Sequence, residues 1–229
     1  MKQLSIRMTK TETIVGWIYF FLQLLLLPTL IVLVNAFLTH PLTEVELNFV
    51  YFFLNFALVT IIFRKYLIGC GKIALQKPLR CLSAAGIGLA LYWGLSIIVS
   101  SVIYFIDPEF MNVNDATIGT MAGDNFGLTA FGVILLVPIT EETLFRGLMF
   151  QGLHHKNRFL AYAVSALVFA LPHVIGYIGY YPPQLLLLCS LLYLPAGIAL
   201  AWAYERSDSI FAPTLMHMVI NSIGVLAMR

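Results

Sequence analysis

The chain has 229 residues, of which 60% are hydrophobic and only 10% are charged, and its mean hydropathy is +0.91. Soluble domains carry about 25% charged residues, so this composition excludes an ordinary soluble domain, and its apolar content excludes intrinsic disorder. With three cysteines and 16 glycines, the chain is neither a disulfide scaffold nor a collagen. The composition instead indicates a polytopic membrane protein.

Seven apolar stretches approach the roughly 20 residues that a helix needs to cross a hydrocarbon core. In chain order they cover residues 13–38, 47–63, 83–106, 126–153, 159–175, 184–204 and 209–228. They are unbroken rather than alternating, so they predict helices and not the strands of a membrane barrel. The first stretch is too long for a signal peptide, and no cleavage site of small residues follows it, which favours a retained helix. We therefore predict an all-α, polytopic transmembrane helical bundle of about seven helices.

The basic residues occupy alternate connections between these helices. Lys and Arg occur in the amino-terminal tail and in 64–82, 154–158 and 205–208, whereas 39–46, 107–125 and 176–183 contain none. Because cytoplasmic loops are enriched in Lys and Arg, the pattern predicts a cytoplasmic amino terminus and an external carboxyl terminus, with Arg229 as a mild exception. The basic segment 64–82 is interpreted as a loop.

The segment 107–125 is rich in Asn, Asp and Gly, which is typical of a flexible external loop. It also separates two parts of the chain that differ in buried charge. We predict one integral membrane domain with an amino-terminal part, residues 1–125, of three helices and the external loop. Residues 126–229 would hold four helices and a polar site.

Five ionisable residues and one amide lie inside the apolar stretches of the second part. They are Glu141, Glu142 and Arg146 in 126–153, His173 in 159–175, and His217 and Asn221 in 209–228. A charged side chain at the bilayer centre costs at least about 2.5–3.5 kcal/mol, so these groups should face one another or a wet cavity. The middles of the first three helices hold no comparable residue.

Spacing divides the roles of the two glutamates. Glu142 and Arg146 are four residues apart and can pair on one helical face, whereas Glu141 points about 100° away from Glu142. Glu142 is therefore the expected partner of Arg146, and Glu141 is expected to face a cavity. Pro138 precedes Glu141 by three residues and is expected to kink or open the helix.

Packing explanations stay open for the polar residues outside the glutamate pair. His173 follows a proline and could be a satisfied core histidine. His217 and Asn221 are four residues apart and could join helices by hydrogen bonds, as polar residues do in membranes. The cysteines have no metal-binding spacing, and we expect buried fillers or free thiols. The adjacent His154 and His155 are interpreted as part of a basic interfacial turn.

Together the polar set contains the groups needed for amide hydrolysis inside a membrane. A carboxylate and an imidazole that face one water form a general base, while a second imidazole and a carboxamide can stabilise an oxyanion. Alternatively, Glu141, His173 and His217 could bind zinc and leave one position for water. The usual His-Glu-x-x-His helix is absent, so the cofactor, zinc or none, stays open.

Three segments of the second part match a known set of motifs. Residues 141–146, Glu-Glu-Thr-Leu-Phe-Arg, resemble the Glu-Glu-x-x-x-Arg motif of the CPBP intramembrane proteases. Residues 169–173 are similar to the family's Phe-x-x-x-His motif, and residues 217–221 to its His-x-x-x-Asn motif. This family includes the CAAX prenyl endopeptidases and the bacteriocin-processing or self-immunity proteins formerly called Abi. The resemblance covers about residues 125–229, and the first three helices match by hydropathy only.

The resemblance implies a role for each motif residue. These roles are water activation by Glu141 and His173, an oxyanion site at His217 and Asn221, and support from Glu142 and Arg146. It thus implies an intramembrane endopeptidase of the CAAX protease type. Family members are described both as metalloproteases and as metal-free glutamate enzymes, so both mechanisms stay open.

The leading hypothesis is hydrolysis of a peptide bond in a peptide or membrane-associated protein within the lipid bilayer. No nucleic-acid partner is expected, and the compact chain favours a bacterial cytoplasmic membrane. One alternative is a non-proteolytic membrane adaptor or bacteriocin-immunity protein. Another is a proton-coupled transporter, since buried Glu and His also form proton relays, although no repeated half is visible. Prenylated peptides, pheromones, leader peptides and bacteriocins all fit as substrates.

Overall fold

Nine helices follow one another in the computed structural model, which describes residues 4–228. They are α1 (Lys10–Asn35), α2 (Glu44–Ile62), α3 (Arg64–Gln76), α4 (Pro78–Ile106), α5 (Val113–Asp124), α6 (Phe126–His154), α7 (Arg158–Ala170), α8 (Pro183–Ser207) and α9 (Phe211–Ala227). Residues 4–228 contain no β-strand. The predicted all-α bundle is therefore confirmed.

Five of these helices, α1, α2, α4, α6 and α8, are long and apolar enough to cross a membrane. The two shorter apolar helices are α9 and α7, which continues through a 3-10 turn as far as His173. These seven helices correspond to the seven apolar stretches of the sequence. The chain is an integral membrane protein.

The prediction of a loop at 64–82 was wrong, because most of that segment forms α3. Tyr66 and Cys70 lie one turn apart and are buried, while Lys65 and Lys72 are exposed. The segment is therefore an amphipathic helix with one face against the bundle. Its basic residues drew attention to charge and away from this periodicity.

The prediction of a flexible loop at 107–125 was also wrong for most of its length. Residues 113–124 form α5, in which Val113 and Met121 are buried. Asn112 caps this helix, and its side-chain oxygen accepts a hydrogen bond from the backbone N–H of Asn114. Residues that are frequent in loops here begin a helix that borders the site described below.

Local capping explains where α1 and α2 begin. Thr9 and Glu12 form a capping box before α1, and Thr43 and Glu46 form another before α2. The carboxylate of Glu12 has a second use, because it also accepts a hydrogen bond from the backbone N–H of Tyr66 at 2.9 Å. The buried side chain of Glu12 thus caps the start of α1 and links α1 to α3.

The centre of the bundle lies around α8, which packs against α4 and α7, while α9 packs against α4 and α8. Gly197 on α8 permits the close approach to α7. A Cβ atom at this position would lie 2.6 Å from the Cα of Ala166. The two helices are therefore in backbone contact at the level of the site.

The basic connections meet at one end of the bundle. Ser5 N–H donates to Asp208 at 2.8 Å, and Arg80 donates to the Arg206 carbonyl at 2.7 Å. Arg158 contacts Glu205 at 2.8 Å at the same end. We call this the basic end, and we call the opposite end, formed by 39–46, 107–125 and 176–183, the acidic end. Which end faces the cytoplasm, and the division of the chain at residue 125, stay predictions; Arg229 lies outside the described residues.

Candidate active site

Helix α6 carries the first motif, and its winding changes before the motif and again within it. π-helical turns at Phe131–Leu136 and Thr143–Phe150 flank a regular α-helical segment at Val137–Glu142. Pro138 stands at the start of the regular segment. The expected disturbance near this proline therefore takes the form of wider helical turns, which are frequent at functional sites.

The expected pairing of Glu142 with Arg146 is present and completely buried. Glu142 Oε2 and Arg146 Nε are 3.2 Å apart, and both side chains have no exposed surface. Arg146 also donates to the Gly197 carbonyl at 3.2 Å and lies 4.3 Å from the centre of the Phe169 ring. The guanidinium thus connects α6 to both α7 and α8.

Glu142 has a second partner that the sequence did not predict. His217 Nδ1 lies 2.9 Å from Glu142 Oε1. Because this carboxylate also faces Arg146, it accepts and His217 Nδ1–H donates. The other ring nitrogen, Nε2, then points towards Glu141 and lies 3.9 Å from its Oε2. This gap exceeds a hydrogen bond and is one that a single water molecule can bridge.

Glu141 differs from its neighbour in having no fixed partner within hydrogen-bond distance. Its Oε2 atom is buried and makes no hydrogen bond to any described residue. The side chain is 16% exposed and lines a cavity of about 350 Å³. The predicted division between a paired Glu142 and a cavity-facing Glu141 is therefore present in the structure.

His173 lines the same cavity from the end of the turn that follows α7. Its Nδ1 lies 3.0 Å from the Phe169 carbonyl, which can only accept, so Nδ1 carries a proton. In the neutral ring, Nε2 is then left as an acceptor. The ring stacks on Tyr193 with centroids 3.9 Å apart, which fixes its orientation.

Asn221 also lines the cavity, but part of its amide is already used. Its Nδ2 donates to the Val133 carbonyl at 2.8 Å, which joins α9 to a π-helical turn of α6. This contact is the kind of interhelical hydrogen bond that the sequence analysis kept as an alternative. One amide hydrogen is therefore committed to packing, and the other stays available to a ligand.

Sequence reasoning missed polar side chains on α1 and α2 that form another wall of the cavity. Gln23, Tyr51 and Asn55 line it. Tyr51 donates to Gln23 Oε1 at 3.0 Å, and Asn55 accepts from Tyr19 at 2.5 Å. These side chains are polar but uncharged, and the four-residue spacing of Tyr51 and Asn55 is the signal in the sequence that places both on one helical face.

The other sequence-predicted features lie away from the cavity. The three cysteines are free and buried, as expected for fillers. His154 contacts Glu205 at 3.0 Å at the basic end, beside Arg158. His154 is thus a buried residue at the end of α6 that contacts α8, and the interfacial turn stays a prediction.

The arrangement does not fit the zinc alternative. Within residues 4–228, no three His, Cys, Asp or Glu side chains are close enough together to hold one metal ion. Glu141, His173 and His217 line one cavity but do not form such a group. We therefore derive no catalytic step through a metal.

A family model described as "Type II CAAX prenyl endopeptidase Rce1-like" matches residues 123–223, a span that contains all six motif residues. Over this span, which is less than half of the chain, the sequence is similar to the type II CAAX prenyl endopeptidases. No solved structure matches the chain. This match supports the resemblance that the three motifs show.

Curated relatives match a similar share of this chain. "Uncharacterized 24.3 kDa protein" of Escherichia coli is 32% identical over 43% of this chain and 43% of its own length. "Putative membrane peptidase YdiL" of Bacillus subtilis is 31% identical over 39% of this chain and 32% of its own length. "UPF0177 protein YxdF" of Lactococcus lactis is 27% identical over 42% and 47%. The chain spans less than half the length of these relatives.

Proposed function

We propose that this protein is an intramembrane endopeptidase that hydrolyses a peptide bond with a water molecule held beside Glu141. The observation that carries the proposal is that side chains from three helices, Glu141, His173 and His217, line one cavity. The carboxylate of Glu141, which has no hydrogen-bond partner at Oε2 and whose side chain is 16% exposed, gives this cavity an acceptor for a water proton. The match of residues 123–223 to a family model of CAAX prenyl endopeptidases supports the same reaction class.

In the first step, Glu141 and His173 orient and activate the water. The carboxylate of Glu141 and the acceptor nitrogen of His173 receive hydrogen bonds from it, and Glu141 takes one proton. The oxygen attacks the carbonyl carbon of the substrate, a C–O bond forms, and the carbonyl electron pair moves to its oxygen. General-base help of this kind contributes about 10²–10⁴-fold in rate.

The negative oxygen of this intermediate requires a donor, and His217 is the best-placed candidate. Its Nδ1–H is fixed on Glu142, so a protonated ring presents Nε2–H to the cavity. The carboxylate of Glu142 stabilises that imidazolium. Asn221 adds the amide hydrogen that Val133 does not use. Such preorganised donors are worth about 10²–10³-fold in kcat each.

The second step breaks the C–N bond. Glu141 returns its proton to the leaving nitrogen, the oxyanion electrons re-form the carbonyl, and the products are an amine and a carboxylic acid. Glu142 and Arg146 do not touch the reacting atoms in this scheme. As positioning residues, they hold His217 and tie α6 to its neighbours.

The substrate in this proposal is a peptide or a membrane-associated protein, because the cavity is surrounded by helices that cross the membrane. The polar side chains Gln23, Tyr51 and Asn55 of α1 and α2 would form hydrogen bonds with the backbone of the bound peptide. We further propose a cytoplasmic-membrane location with the basic end inside. The substrate class and the location are both parts of the proposed endopeptidase function.

Cleavage of a fluorogenic apolar peptide library by purified protein in detergent tests the proposal. We expect turnover by the wild type, its loss in Glu141→Gln and His173→Ala, and no effect of a zinc chelator. Glu109→Gln changes an exposed carboxylate and serves as the matched control. Unchanged cleavage by Glu141→Gln would refute the assignment of the base.

The adaptor or immunity alternative predicts a different result. The packing contact of Asn221 with Val133 is the observation that favours it. In that case Glu141→Gln would keep the cellular phenotype, and no peptide would be cleaved. Chelator-sensitive cleavage restored by zinc would instead return Glu141, His173 and His217 to the role of ligands.

A further inference from the structure

The cavity at Glu141 is bordered by the acidic end of the bundle. Asn114, Asp115 and Thr117 of α5 line it, and so does Tyr177 from the segment 176–183. A second cavity of about 360 Å³ shares His173, His217 and Asn221 with the first and is also bordered by Asp115. Both cavities therefore lead from the site to α5.

The basic end also has a cavity, of about 400 Å³, but it is lined by none of the site residues Glu141, His173, His217 and Asn221. A buried polar network lies at the same end. Gln151 donates to the Ile6 carbonyl and to Tyr204, and Tyr204 is hydrogen-bonded to Tyr66 at 2.9 Å. The side chains of Tyr66 and Tyr204 are 1% exposed. The amino-terminal segment is therefore anchored across this end of the bundle.

The acidic end carries charge of one sign. Its three connections contain Glu44, Glu46, Asp107, Glu109, Asp115 and Asp124, and no Lys or Arg. Among the described residues that line the cavity, none is a Lys or Arg, and the carboxylates are Glu141 and Asp115. A field of this sign attracts cationic segments and repels anionic ones.

Building on the proposed endopeptidase, we propose that the substrate enters from the acidic end, on the side of the membrane away from the cytoplasm. We propose also that its segment beside the scissile bond carries positive charge. The side follows from the cavity border together with the basic residues, which membrane proteins retain on the cytoplasmic side. A peptide already exported across the membrane is thus the class of substrate.

Cysteine labelling of intact cells tests the route without requiring activity. Ile118→Cys places a thiol in the cavity, Ala116→Cys places one on the exposed face of the same helix, and Gln76→Cys marks the basic end. The wild type provides the background, because its three thiols are buried and burial raises the pKa of Cys70 to about 11. Each variant is first checked for wild-type thermal stability in detergent.

A membrane-impermeant maleimide should label positions 116 and 118 in intact cells, and position 76 only after permeabilisation. The reverse pattern would place the acidic end in the cytoplasm and overturn the proposal. Labelling of position 116 without position 118 would also overturn it, since the cavity would then open elsewhere, such as into the bilayer. None of these outcomes depends on proteolysis, so failure here is distinct from failure of the proposed reaction.

Binding of two dansylated apolar peptides, which differ only in Lys or Glu beside the central bond, tests the charge preference. Fluorescence anisotropy with the Glu141→Gln protein in detergent measures binding without cleavage. We expect the Lys peptide to bind at least about fivefold more tightly at low salt, with a smaller ratio at 1 M salt and in Asp115→Asn. Equal binding of the two peptides, or no binding of either, would overturn the preference.

Discussion

Helices of similar apolarity lie in very different surroundings in this bundle. In the most apolar windows of α1, α2 and α4, only 17%, 17% and 6% of the residues are buried inside the protein. The corresponding shares are 56% for α6 and 44% for α8. The first group therefore forms a wall whose apolar side chains face outwards, and the second group forms the interior.

This difference explains where the ionisable residues can reside. Lipid is as apolar as Leu, so an outward-facing apolar wall needs no protein partner. A charge on that wall would have nothing to pair with, whereas α6 brings Glu142 and Arg146 within 3.2 Å in a fully buried position. The interior helices can thus hold chemistry that the outer helices cannot.

The largest expected effect is loss of the proposed base on α6. Glu141→Gln keeps the size of the side chain and removes its ability to take a proton, so cleavage should fall about 10²–10⁴-fold without a change in thermal stability. Steady-state kinetics and a thermal melt in detergent measure the two properties. A parallel loss of stability would mean that Glu141 serves packing.

Breaking the buried ion pair should cost stability as well as activity. Arg146→Ala strands Glu142 in the interior, and removing one partner of such a pair costs about 3–5 kcal/mol. The control on the outer wall is Ile97→Ala on α4, whose side chain is 68% exposed and which should melt like the wild type in detergent. A stable but inactive Arg146→Ala protein would assign Arg146 to the reaction instead.

Adding a methyl group should lower the melting temperature when it is placed in the interior but not when it is placed on the outer wall. Gly197→Ala on α8 places a Cβ atom 2.6 Å from the backbone of α7, whereas Gly94→Ala on α4 meets nothing within 4 Å. Overpacking costs about 1–3 kcal/mol, so the melting temperature should fall for the first variant. The second should match or exceed the wild type, because Ala favours helix over Gly.

The smallest effect is expected at Tyr51, which shows that a wall helix can also contribute a side chain to the cavity. Tyr51 belongs to a wall helix but faces the cavity and donates to Gln23. Tyr51→Phe removes one hydrogen bond, worth about 0.5–1.5 kcal/mol, so KM should rise by up to about tenfold with little change in kcat. Tyr104→Phe, at an exposed position of α4, is the control, and equal kinetics of the two variants would return α2 to a purely structural role.

The sequence by itself determined the features that depend on local or composition-based physics. Long apolar runs predicted the seven membrane-associated helices, since partition into lipid depends on the apolarity of a segment alone. The contact between Glu142 and Arg146 was also predictable, because a spacing of four residues fixes proximity within one helix. The motif residues were also detectable from the sequence, because they are polar or ionisable residues in otherwise apolar segments.

Only the tertiary structure decided which faces of these helices meet. The bond from His217 to Glu142 and the bond from Asn221 to Val133 join residues 75 and 88 positions apart. Apolarity all round a membrane helix leaves its rotation undetermined, so hydropathy could not predict these contacts or the polar wall at Tyr51. Side-chain packing and interhelical hydrogen bonds fix that rotation, and they alone bring Glu141, His173 and His217 to one cavity.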